Sequence, residues 1–189
     1  MLEKLIRFLV LRSGQEHSRT YRAVATVCGA TLFLAGWPAL VGYCGKLPGG
    51  AVLPSDLAWI LGLDFFICGI PWLVWAIVWQ WRKGQGTPVP VVPTRIFLPD
   101  GPYRFCRNPM MFGFFCYLSG WAAIFNRPGA YAGASLIMAL LLVEIITVEE
   151  KELAERFGDA YLHYKKETSF FFPELPRKKA QPAGLPQHP

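Results

Sequence analysis

The sequence predicts an all-α integral membrane protein with about four transmembrane helices, the last two forming a helical hairpin. A Pro-rich cytoplasmic strap and a C-terminal amphipathic helix complete the expected fold. Three observations carry this. Hydrophobic residues fill 53% of the 189 positions and charged residues only 17%, against roughly 25% charged in soluble domains. The apolar residues are also grouped: Ala23 to Gly45 holds no charge, Leu57 to Trp81 holds only Asp64, and Asn108–Phe125 and Pro128–Val143 hold none. Finally, Lys and Arg gather at alternate connections. A helix needs roughly 17–25 apolar residues to cross the hydrocarbon core, so the first two runs suffice alone and the last two read as arms of a hairpin.

Residues 1–22 open the chain as an amphipathic helix. Leu2, Leu5, Ile6, Leu9 and Val10 form a stripe with basic residues opposite, the pattern of a helix lying on a membrane surface. Residues 23–81 supply two transmembrane helices. The first has too long an apolar stretch, and too poor a cleavage site after it, for a signal peptide. The Gly- and Pro-broken "GKLPGGAVLPSD" leads to the second. There Gly69-Ile70-Pro71 predicts a kink, and Asp64 is either a functional carboxylate or one that reaches the outer interface.

Residues 82–173 read as one region of strap, hairpin and C-terminal helix. Prolines at 88, 90, 93, 99, 102 and 109 preclude a helix in the strap. Its many apolar residues, Ile96, Phe97 and Leu98 among them, call for burial against the helix ends. Asn108 is expected to cap the third span and Pro109 to begin it, and "NRPG" (Asn126 to Gly129) to turn the hairpin. From Val148 onward, Leu153, Phe157, Tyr161 and Tyr164 recur on one face of a helix, with Gly158 as its expected break. "SFFFPEL" then returns aromatics to the membrane surface, and residues 174–189 have the composition of a disordered tail.

Lys4, Arg7, Arg12, Arg19 and Arg22 precede the first span. Arg82, Lys83, Arg95, Arg104 and Arg107 lie between the second and third, and a further basic set follows the hairpin. Both termini are therefore expected in the cytoplasm, with only the isolated Arg127 out of pattern, and the compact size fits a bacterial inner membrane. The net charge of +6 reflects topology and anionic headgroups rather than nucleic acid. The five cysteines form no C-x-x-C pair and the three histidines are scattered, so free thiols and no metal site are expected.

Dinucleotide, Walker, nucleophile-elbow and H-E-x-x-H motifs are absent. What remains is the strap and the acidic pair Glu149-Glu150. Together they describe a pocket in which Arg104 or Arg107 holds an anionic group, Glu149 accepts hydrogen bonds, and Tyr103, Tyr161 and Tyr164 stack on a ring or face a cation. The competing reading is interfacial: arginines snorkelling to phosphates, glutamates capping a solvated helix, tyrosines marking the interface. From the residues alone both stand.

The stretch "LPDGPYRFCRNPMMFG", with "EEKELAERFGDAYLHY" and a closing "FP", resembles the isoprenylcysteine carboxyl methyltransferase and phospholipid methyltransferase family, over residues 84–173. The resemblance implies S-adenosyl-L-methionine bound on the cytoplasmic side by Tyr103, Asn108, Pro109, Met110, Met111 and Glu149, with residues ending at Leu98 lining it. It implies a lipid-like or hydrophobic small-molecule acceptor drawn from the membrane. A thiolate or carboxylate acceptor needs no base, whereas an amine must first lose a proton, and for that Glu150 or Glu144 is the candidate. Two departures matter. Asn108 stands where many members have a titratable His. Ile145, next to Glu144, stands where the isoprenylcysteine branch has a substrate-binding arginine, which favours a neutral or cationic acceptor over a carboxylate. The alternatives are an NADPH-dependent reductase of sterol-reductase type, which calls for more basic residues, and a non-catalytic membrane protein.

Overall fold

The computed structural model describes residues 10, 19–84 and 96–175. The expected N-terminal surface helix (save Val10 and its last residues), the first part of the strap and nearly all of the tail lie outside the described residues. All regular structure among the described residues is helical. The first span is α1 (Arg19–Thr31), a π turn (Leu32–Gly36) and α2 (Trp37–Cys44), joined without a break. The second is α3 (Ser55–Lys83), which runs unbroken through Pro71. The third is α4 (Pro109–Phe125), and the fourth is α5 (Pro128–Glu144), followed by a second π turn (Ile145–Glu149) and α6 (Glu150–Glu167).

Ala23–Cys44, Ser55–Lys83 and Pro128–Glu167 are each long and apolar enough to cross a membrane, and α4 is a shorter apolar helix. The protein is thus an all-α integral membrane protein. The 40 residues from Pro128 to Glu167 would measure about 60 Å at 1.5 Å per residue, twice the hydrocarbon thickness. From the shared turn, α4 and α5 have equal lengths of 17 residues. The hairpin's crossing part therefore ends at Pro109 and Glu144, and the second π turn and α6 project beyond it, on the side of the strap.

Small residues bring α3 and α4 together. A Cβ on Gly113 would lie 2.6 Å from the Leu73 nitrogen and 2.7 Å from the Gly69 oxygen. One on Gly120 would lie 3.0 Å from the Gly62 oxygen. The two seven-residue Gly pairs face each other, so the backbones meet directly, the means by which helices associate without a hydrophobic drive in lipid. Gly113→Val should be lost to the folded state. Both obstructing atoms are backbone, so the cost should exceed the 1–3 kcal/mol typical of overpacking, read as loss of a thermal transition in detergent.

At the opposite end Asn126 takes a left-handed conformation (φ 51°) to turn the hairpin. Its side chain accepts from the Leu53 N–H at 2.9 Å and donates to the Leu53 carbonyl at 2.8 Å. Arg127, the residue out of charge pattern, donates to the Gly49 carbonyl at 2.6 Å: it staples this end's loop. The core between the spans is built on Val41, Leu73, Phe114, Leu118 and Ala130. All five cysteines are free, and Asp64 is exposed on α3. Asn108 does occupy the N-cap position of α4, but its side chain makes no capping bond. The amide donates instead to the Phe170 carbonyl at 2.9 Å, because the returning C-terminal segment offers an acceptor there.

Candidate active site

The strap ends in a 3-10 turn over Gly101–Arg104. Gly101 has φ +63°, and a Cβ there would sit 2.5 Å from the Trp79 ring, so the position requires glycine on both counts. The turn seats Tyr103 over α6, where the Tyr164 hydroxyl donates to the Tyr103 carbonyl at 2.6 Å. Burial pushes the hydroxyls of Tyr103 and Tyr164 above their ordinary range, with the Glu149 charge adding to the effect at Tyr103. Both phenols are therefore neutral donors. Cys106 is fully buried and burial pushes its thiol up to about 12, which leaves it an inert packing residue.

Beyond the break at Gly158 (φ 54°, ψ −133°), the chain returns along the strap. The Arg107 N–H donates to the Ser169 carbonyl at 2.8 Å, and the Glu174 N–H to the Phe105 carbonyl at 2.9 Å. Arg107 is the hub. Its Nε and Nη2 donate to Glu150 Oε1 at 3.0 and 2.9 Å, and its Nη1 to the carbonyls of Lys165 and Thr168 at 2.8 and 2.7 Å. Lys165 reaches the other Glu150 oxygen at 2.7 Å.

These elements line a cavity of about 250 Å³, with strap residues at one end and residues of the spans at the other. Of the residues expected in the site, Leu98, Tyr103, Arg107, Asn108, Pro109, Met110, Met111, Glu144, Glu149, Glu150, Tyr161 and Tyr164 all line it. Arg104 does not: it is exposed, its guanidinium 5.0 Å from the Phe105 ring centre. Arg107 and Glu150 are at the wall but spend their charge on each other and on Lys165.

The second π turn decides which carboxylates face the cavity. The Glu150 N–H bonds to the Ile145 carbonyl, an i→i+5 step that stacks residues five apart, so Glu144 and Glu149 fall on one face where an α-helix would separate them. Glu152 lines the same wall, paired with Arg156 at 3.1 Å. Glu149 has no hydrogen bond or ion pair with any described residue. Burial, and then the charges of Glu144, Glu152 and Glu150, push its carboxyl up to about 7. It is a carboxylate held short of a partner.

Sequence reasoning missed two contributions. The Gln80 side-chain carbonyl, on α3, is buried at the wall with no partner among the described residues. An amide inside an apolar run was the available signal. The first span adds Thr26, Gly29, Ala30, Phe33 and Leu34, residues that periodicity marks only as membrane-facing. The cavity is thus two-ended: carboxylates, tyrosines, Gln80 and the strap at one end, aliphatic and aromatic side chains at the other.

A model of the phospholipid methyltransferase family matches residues 57–160. The protein-S-isoprenylcysteine O-methyltransferase of Schizosaccharomyces pombe is 30% identical over 81 residues, 43% of this chain and 34% of that protein. The methanethiol S-methyltransferase 1 of Bradyrhizobium diazoefficiens is 36% identical over 74 residues, 38% of this chain and 24% of that protein. The matched stretch thus spans about a third and a quarter of those two relatives.

Proposed function

The chain belongs to the phospholipid methyltransferase family, and from that premise we propose that it is a membrane methyltransferase using S-adenosyl-L-methionine on a lipid-like or small hydrophobic acceptor. The observation that carries this is the two-ended cavity, in which an unsatisfied carboxylate and a buried, unpartnered amide carbonyl share one space with an apolar chamber. The polar groups fit the cofactor: Glu149 and the Gln80 carbonyl accept from its hydroxyls and amines, Tyr103 and Leu98 cover it, and Asn108 to Met111 form the wall beneath. When bound, the cofactor supplies an activated methyl group. The chain's own work is to align and to exclude water, which is worth up to about 7–11 kcal/mol for an ideal arrangement. Glu150 is held by two cations, so Glu144 is the residue placed to take a proton from an acceptor that must lose one. We place the strap end in the cytoplasm, in keeping with the basic residues of the strap.

A phosphate-rich dinucleotide suits this cavity poorly. Four glutamates line it, and the arginines that line it, Arg107 and Arg156, each pair with one of them. Calorimetric titration of detergent-purified protein with S-adenosylmethionine and, separately, NADPH tests the reading. Saturable binding of the first alone, lost in Tyr103→Ala, is expected. Binding of NADPH alone would replace the methyltransferase with a reductase, and binding of neither would leave the cavity without this function.

A further inference from the structure

We propose that Phe33 sets the size of the acceptor, restricting it to a nucleophile on a short apolar group, such as a short-chain thiol or amine, and excluding one whose tail must lie inside the bundle. The inference rests on the methyltransferase reading and deepens it.

The apolar end of the cavity is shallow. On α3 its wall runs from Gln80 only to Leu73, and on α4 from Pro109 only to Phe114, on the order of 10 Å of helix in each case. On the first span it stops at Leu34. The bottom is made by Phe33 meeting Phe114 edge to face, ring centres 5.0 Å apart. Phe114 is 1% exposed and belongs to the core.

The first π turn sets Phe33 there. It ends with the Trp37 N–H bonded to the Leu32 carbonyl, and the Tyr117 hydroxyl donates to the Leu34 carbonyl at 2.8 Å, fastening the turn to α4. Below it the first span closes on the hairpin: Val41 is fully buried, and a Cβ on Gly42 would meet the Phe125 ring at 2.9 Å. Above it, Gly29 and Ala30 are small and leave a chamber between floor and strap.

The experiment uses the full chain in lipid nanodiscs and n-alkanethiols and n-alkylamines from ethyl to octyl. Two readouts run in parallel: label transfer from methyl-labelled S-adenosylmethionine, and the rise in melting temperature that each alkyl compound produces alone. Wild type should favour ethyl over octyl by about tenfold or more, the scale on which apolar pockets discriminate added methylenes. Phe33→Ala should shift both profiles toward longer chains, and Phe33→Trp toward shorter ones. Partition into lipid is common to all variants, so the comparison reads the chamber. A wild-type preference for octyl, or profiles that neither substitution moves, overturns the proposal. Melting profiles that follow residue 33 without any label transfer would sink the methyltransferase reading and leave the chamber standing. Label transfer with unmoved profiles would do the reverse.

Discussion

Glu149→Gln is expected to weaken binding of S-adenosylmethionine by about 10–100-fold while making the unliganded protein more stable at alkaline pH. The binding loss follows from removing a charged acceptor, worth about 1.5–3 kcal/mol per hydrogen bond. The stability gain follows from the carboxyl's position. Burial and the surrounding carboxylates of Glu144, Glu152 and Glu150 raise Glu149 from 4.5 to about 7 in the folded protein. Tyr103, also facing it, stays neutral. A carboxyl whose folded value lies above its unfolded value favours folding in acid, and that contribution disappears as pH rises through about 7. At pH 8 wild type therefore carries an ionised, poorly solvated Glu149, at a cost on the order of 3 kcal/mol, which glutamine removes. Melting temperatures at pH 8 should rise in Glu149→Gln, and the two proteins should converge below about pH 4.5. Binding has the opposite dependence. The ligand's hydroxyls need the ionised form, so wild-type affinity should decline as pH falls below 7, and the variant should show no such decline. A variant that bound normally, or lost stability at pH 8, would place Glu149 in the framework and not in the site.

Much of this was legible in the sequence because lipid imposes simple constraints. Runs free of charge marked the spans, Asn126 and Pro128 marked the hairpin turn, and Gly158 marked the break in α6. The strap's prolines and apolar residues predicted an ordered segment over the helix ends; of it residues 96–107 are described, and Tyr103 and Glu149 both line one cavity. Less could be read where the answer depended on distant partners or on one extra residue per turn. A π turn has no composition of its own, so neither the stacking of Glu144 with Glu149 nor the aim of Phe33 was visible. Arg104 and Arg107 looked equivalent in the strap, three residues apart. The fold exposes one and surrounds the other with acceptors 43 to 61 positions away. Asn108 looked like a cap until the returning segment supplied a carbonyl.

That difference between the two arginines yields the other large effect. Arg107→Ala should lower the melting temperature sharply and loosen the C-terminal return, whereas Arg104→Ala should do little. The Arg107 and Glu150 side chains are only 11% and 8% exposed, and Lys165, the other cation on Glu150, is 42% exposed. Removing Arg107 leaves a buried carboxylate with Lys165, solvent-weakened, as its remaining ion-pair partner, and strips the Lys165 and Thr168 carbonyls of their shared donor. Breaking such a buried pair from one side costs about 3–5 kcal/mol, or roughly 6–20 °C at about 2–4 °C per kcal/mol for a chain this size. Arg107→Lys should recover only part of this, since one ammonium cannot replace a planar fork that reaches a carboxylate and two carbonyls together. The double variant Arg107→Met/Glu150→Met should be more stable than Arg107→Ala, because no charge is left stranded. Limited proteolysis should cut near Thr168 to Phe172 in Arg107→Ala before wild type, since losing the Arg107 side chain removes the donor to Lys165 and Thr168 and leaves that segment held by its bonds at Ser169, Phe170 and Glu174. Were Arg107 instead an anion clamp for the cofactor, Arg107→Ala would keep the wild-type melting temperature and lose binding alone, and Arg107→Lys would bind nearly as well as wild type.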